Sequence, residues 1–188
     1  MANDFAKNRA QVGKAVAYFT INGIFAVFFG IAYFYPRHQC YTIRTSSTPV
    51  DITLHPEAND VTMWFDKTCL MGFLLYSAAA ISSLGYLAKS NALRILTVIL
   101  EKLSRLLAYC VFIIVHIMRL SHTGAVCSGD YLPEEHRDDS VVSNYMIATG
   151  NFFTFYLILG WTVLPALLIL LVCVKGDKWA AFALDAPK

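Results

Sequence analysis

The residues able to do chemistry cluster in three places. The first is a charged patch, Glu101, Lys102 and Arg105, inside the stretch Lys89 to Arg119. Glu101 and Arg105 stand four apart, an ion-pair spacing on one helical face. Buried in a bilayer, such a pair would line an ion path or gate, because polar groups are held in lipid only at a cost that usually marks function. At the membrane surface it is the overhang of an amphipathic helix, and this is the reading expected here. The second place is the row His116, Arg119 and, if the helix runs on, His122, where an imidazole can respond to pH near neutrality. The third is the acidic run Asp130, Glu134, Glu135, His136, Asp138 and Asp139. It lacks the ligand spacing and turn glycine of a calcium loop, so it reads as a solvated loop and no metal is assigned.

Other chemistry is excluded by what the motifs require. The chain has no paired-Cys metal signature, no His-Glu-x-x-His, no nucleophile-elbow glycine pattern and no phosphate loop, so no catalytic residue and no enzyme activity is assigned. His116 has no second His at comparable depth, since His38, His55, His122 and His136 fall in expected loops, so no haem or other cofactor is expected. Of the cysteines, Cys40 and Cys127 fall in different outer loops and are the expected disulfide, with Cys69 as the competing partner. Cys110 and Cys173 read as reduced fillers of the inner half.

These residues must be positioned by membrane helices. The chain is 57% hydrophobic and 15% charged, far below the roughly 25% charge of soluble domains. Four apolar runs, about 12–35, 69–88, 98–120 and 146–174, are each near the roughly 20 residues that cross a bilayer core. They leave outer loops 36–68 and 121–145 and a link 89–105 between the second and third spans. The expected fold is a single all-α membrane domain, a four-transmembrane-helix bundle. The first span is too long for a signal peptide and has no cleavage site, so it is expected to stay. Lys7, Arg9, Lys14, Lys89, Arg94, Lys102, Arg105, Lys175, Lys178 and Lys188, ten of the fifteen basic residues, fall on one side of those spans. Nine of the thirteen acids fall in the two loops on the other side. Basic residues stay cytosolic, so both termini are expected there. The net charge of +2 gives no reason to expect nucleic acid as a partner.

Finer features follow from local pattern. In the first outer loop, Tyr41–Ile43 and Val50–Leu54 alternate around a Ser/Thr/Pro turn and predict a small β-hairpin. Trp64 and Phe65 then return the chain to the membrane surface. In the second span Ala78, Ser82 and Gly85 share a stripe with Ala79 and Ser83, small residues that let helices approach closely. Packing within the bundle is the expected use of that stripe, contact between copies the alternative. Ser90 or Asn91 should start a third helix about 42 Å long, more than the core needs. Asn22 needs a partner within the bundle, and Pro165 should kink the fourth span because it lacks the N–H that would bond to Trp161.

Four spans, cytosolic ends, two outer loops and outer cysteines resemble the MARVEL and claudin-like tetraspan classes in topology over Val12 to Val174. The claudin Trp-Gly-Leu-Trp-Cys-Cys and tetraspanin Cys-Cys-Gly patterns are absent. The resemblance implies a non-enzymatic protein that scaffolds membrane or self-associates laterally, with the lipid bilayer as its first partner. The alternatives are a channel or transporter component using Glu101 and Arg105, and an accessory subunit of a larger organellar membrane complex. A plasma membrane or endomembrane is favoured, with the mitochondrial inner membrane as the other location.

Overall fold

The computed structural model describes residues 2–35, 39–88, 90–132 and 144–184, with side chains described from 11 to 163 within those ranges and at 165, 166 and 169. Four long helices lie side by side: α1 (Ala2–Phe34), α2 (Val61–Ser83, continuing into a 3-10 turn, Leu84–Leu87), α3 (Asn91–Leu120) and α5 (Ile147–Leu184). A short α4 (His122–Cys127) and two strands, β1 (Tyr41–Thr42) and β2 (Asn59–Asp60), close one end. Two stretches, Gln11–Phe34 and Val61–Leu87, are long and apolar enough to cross a membrane, while the described apolar part of α5, Ile147–Val163, is shorter. The chain is thus mainly helical, and large apolar side chains such as Ile24, Ile31, Leu74, Ile81, Ile113 and Ile158 face outward.

Alpha2 begins well before the apolar run that starts at Cys69. Asp60 is its N-cap and its carboxylate accepts from the Met63 N–H at 3.1 Å, satisfying a donor the first turn leaves open. Trp64, Phe65, Asp66 and Lys67 are therefore helical rather than part of the first outer loop. Phe65 is fully buried and stacks on Phe153 at 5.0 Å, whereas Trp64 is exposed and carries Lys67 Nζ 5.4 Å from its ring.

The strand pairing also differs from expectation. Beta1 pairs antiparallel with β2, Tyr41 opposite Asp60 and Thr42 opposite Asn59, and not with Val50–Leu54. Val50 donates its N–H to the Tyr41 carbonyl at 2.9 Å. Beyond it Asp51 accepts from the Thr53 N–H and hydroxyl, both at 2.8 Å, and the chain turns. A side chain that bonds to backbone two residues on offers an alternative to the sheet. The Thr53 N–H and then its hydroxyl hold the Asp51 carboxyl below its ordinary range. This support for the turn is present above the ordinary carboxylate range and is lost as pH falls through the depressed value.

At the other end of the bundle the chain passes from the 3-10 turn to α3 through a short link, with Ser90 as N-cap and Arg94 Nε donating to the Ala88 carbonyl at 2.7 Å. Alpha3 stops at Leu120, because the Ser121 hydroxyl accepts from the Gly124 N–H and starts α4. His122 therefore does not extend the His116 and Arg119 row. It sits on α4 and reaches across to the Ser46 carbonyl at 2.9 Å. Pro165 lies inside α5, which continues helically beyond it.

Close packing depends on Gly72 of α2 and Gly85 of the 3-10 turn that follows it. A Cβ at Gly72 would fall 2.4 Å from the Phe29 ring, and one at Gly85 would fall 1.9 Å from Thr97 Oγ1. Their absence lets α1 and α3 lie against that backbone, the small-residue logic of lipid-embedded helices. Ala79 and Ser83 are buried too, and the Ser83 hydroxyl donates to Ala80 O at 2.6 Å and to Ala15 O of α1 at 3.5 Å. Ser82 bonds within its own helix, to the Ala79 carbonyl at 3.0 Å, and Ala78 is exposed.

Candidate functional site

Polar side chains gather at three levels of the bundle. The first level is built on Glu101 and Arg105, one turn apart on α3. Arg105 donates to the Glu101 carboxylate and to the Tyr18 hydroxyl of α1, and the Tyr86 hydroxyl also donates to Glu101. The Arg105 guanidinium lies 5.4 Å from the centre of the Tyr18 ring, whose own neighbour is Tyr86 at 6.2 Å. Glu101 is 19% exposed and Arg105 is 57% exposed. The carboxylate therefore points inward among three helices while the guanidinium covers it from outside. Glu101 and Arg105 are thus paired with each other, and the remaining space, about 10 Å³, is about that of one water. Asn22 needs no other helix, since its amide donates to the Tyr18 carbonyl at 2.8 Å.

The middle level is aromatic. Phe25 and Phe29 of α1, Tyr76 of α2, Phe112 of α3 and Phe152 and Tyr156 of α5 meet with ring centroids 5.0 to 6.4 Å apart. Inside this cluster the Tyr76 and Tyr156 hydroxyls bond to each other at 2.7 Å. A hydroxyl in an apolar interior needs such a partner. Tyr76→Phe should cost about 1 to 2 kcal/mol because it strands the Tyr156 hydroxyl, whereas adding Tyr156→Phe should cost little more. Thermal unfolding of the two single variants and the double variant checks this.

The third level, at the end that carries the disulfide, ties α3 to α5 and to α4 and the strands. Arg119 donates through Nη1 and Nη2 to both carboxylate oxygens of Asp130, at 2.5 and 2.7 Å, and through Nε to Thr154 Oγ1 at 2.7 Å and Gly150 O at 3.2 Å. Bidentate pairs of this kind are directional and strong. One turn below, the Trp161 indole N–H donates to His116 Nε2 at 3.0 Å. Above them the Cys40–Cys127 disulfide, Cα atoms 5.9 Å apart and both cysteines fully buried, joins the segment after α1 to the end of α4. The bridge is held from both sides. Cys40 N–H donates to Thr62 Oγ1 at 2.7 Å, Val61 N–H donates to Cys40 O at 3.1 Å, and Met146 N–H donates to Cys127 O at 2.7 Å.

The structure thus brings together Cys40 with Cys127, Glu101 with Arg105, and Gly85 and Ser83 with their neighbouring helices. Cys69 stays buried in α2 outside the bridge, and Cys110 is exposed on α3. Glu134, Glu135, His136, Asp138, Asp139 and the Cys173 side chain lie outside the described residues. Sequence reasoning missed Arg119–Asp130 and Tyr76–Tyr156. A signal for the first was present: Arg119 is a basic residue in the last turn of α3, just before the acid-rich stretch of the sequence. Tyr76 and Tyr156 are 80 positions apart, and no periodicity links residues so distant.

In comparisons with known proteins, no family model, curated protein or solved structure matches this chain.

Proposed function

We propose that this chain is a non-enzymatic four-span membrane protein, with both termini cytosolic, that organises membrane by assembling laterally with copies of itself or with other membrane subunits. The observation that carries this reading is the contrast between inside and outside. The bundle axis is filled by rings from α1, α2, α3 and α5, while apolar side chains face outward on those helices. Among the described residues that axis is occupied by packed side chains, which favours this reading over the channel reading.

The depth of Glu101 points the same way. It bonds to Tyr86, and Tyr86 is one residue from the end of the apolar stretch Val61–Leu87. That supports a position at the inner interface, where a paired carboxylate costs far less than at the bilayer centre. With the four-span reading, the disulfide-capped end becomes the outer one, in accord with an oxidising compartment. The likeness to MARVEL and claudin-like tetraspan proteins in topology supports the same class of role.

Purification in mild detergent followed by crosslinking should give a species larger than one chain. Proteoliposomes should conduct no more than protein-free vesicles. A strictly monomeric particle surrounded by lipid would overturn lateral assembly. A conductance that Glu101→Leu/Arg105→Leu abolishes would transfer the role to transport.

A further inference from the structure

The polar links between α3 and α5 hold the two helices together at two levels without closing the space between them. One level is Arg119 to Thr154 and Gly150, the other is His116 to Trp161. Between these levels a groove of about 430 Å³ opens sideways. It follows α5 from Thr154 to Trp161, about 10 Å of helix. Its walls are apolar, from Leu120 on one side and Leu157 and Ile158 on the other.

Two features define what chemistry would fit. The first is the state of charge at the outer end. Arg119 is 12% exposed and its charge is matched by both oxygens of Asp130. An anionic headgroup would meet the Asp130 carboxylate there and a cationic one would meet Arg119, so a headgroup of net charge gains no net counter-charge. A neutral hydroxyl can donate to the carboxylate and accept from a donor. The second feature supplies that donor. Indole N–H can only donate, so His116 Nε2 must be the acceptor and the neutral ring carries its proton on Nδ1. Among the described residues no acceptor meets Nδ1–H. A stranded donor beside lipid, which offers no hydrogen bonds, is costly.

We propose that this groove binds a sterol-class lipid, a rigid apolar body bearing a single hydroxyl, with the hydroxyl between His116 and the Arg119–Asp130 pair. The Trp161 ring, held by His116 and edge-on to Phe112 at 6.2 Å, is 62% exposed and offers the body a fixed flat face. A rigid ligand suits fixed walls because it loses little conformational freedom on binding. The proposal rests on the four-span reading, which puts the groove in the outer half of the bilayer.

The test uses the full chain in phosphatidylcholine nanodiscs with a photoactivatable cholesterol analogue. Labelling should concentrate on peptides containing 116–120 and 154–162 and be suppressed by excess cholesterol. Ile158→Trp, which fills the groove from a lipid-facing position, should abolish the competable labelling. His116→Ala should weaken competition about fivefold, the loss of one hydrogen bond. Both variants are compared at matched thermal stability. Labelling spread evenly over the lipid-facing surface, or competed equally by diacylglycerol, overturns the proposal. Alkaline extraction and protease protection of unlabelled protein test the four-span reading separately. Correct insertion with diffuse labelling removes the groove alone, and failed insertion of α5 removes both.

Discussion

Replacing Cys40 and Cys127 together by serine is expected to lower stability by about 4 kcal/mol. The bridge closes a loop of 87 residues in sequence. In the chain-entropy account the stabilisation grows with the logarithm of loop length, reaching about 4 to 5 kcal/mol near this size. Both cysteines are fully buried between Thr62, Val61 and Met146, so the serine hydroxyls would also enter a site shaped for sulfur. Thermal unfolding in detergent measures the effect, with the wild type in reductant as a second arm. If serine variant and wild type melt together under oxidising conditions, the disulfide is not what holds the outer cap.

The second large effect is expected at Arg119. Arg119→Met keeps most of the side-chain length and packing but removes five donors, leaving the Asp130 carboxylate without its bidentate partner and the Thr154 hydroxyl and Gly150 carbonyl without Nε–H. Breaking a fully buried pair costs about 3 to 5 kcal/mol. Asp130 is 38% exposed, however, and solvent screens what remains, which lowers the expected cost to about 2 kcal/mol. Asp130→Asn should cost less, since the amide oxygen still accepts from the guanidinium. In the double variant, Arg119→Met should cost less than it does alone, because no carboxylate is left stranded. A thermal-unfolding cycle over the four proteins tests this order, and strictly additive losses would show that the pair is not coupled.

How much of this was legible in the sequence depends on the range of each interaction. The helices were legible because apolar runs near 20 residues leave few alternatives in a chain this hydrophobic. The short link before α3 was legible from Ser90 and Asn91. Of the expected stripe Ala78, Ser82 and Gly85, only Gly85 lies against a neighbouring helix, while Ala79 and Ser83 beside it are buried and Ala78 is exposed; the stripe also missed Gly72, which lies among large neighbours and matters because Phe29 approaches it. The start of α2 was obscured because Trp64, Phe65, Asp66 and Lys67 mix ring and charge as an interfacial loop does. Only the cap at Asp60 distinguishes the helix, and a lone Asp is too common to identify one. The Val50–Leu54 alternation misled for a local reason. Asp51 bonds to Thr53 and turns the chain before a ladder can form. Arg119–Asp130 is set by the reversal through α4, which turns a separation of eleven residues into contact.

The position of the disulfide within the chain has a consequence for biogenesis. Cys40 and Cys127 both precede α5, which starts at Ile147. Synthesis proceeds from the N-terminus, so everything the bridge requires is made before the last helix. The first three long helices can be locked at their outer end while the groove that receives α5 is still empty. Phe153 and Tyr156 of α5 pack beside Phe65 and Tyr76, so α5 can be fitted to a frame that the bridge already closes.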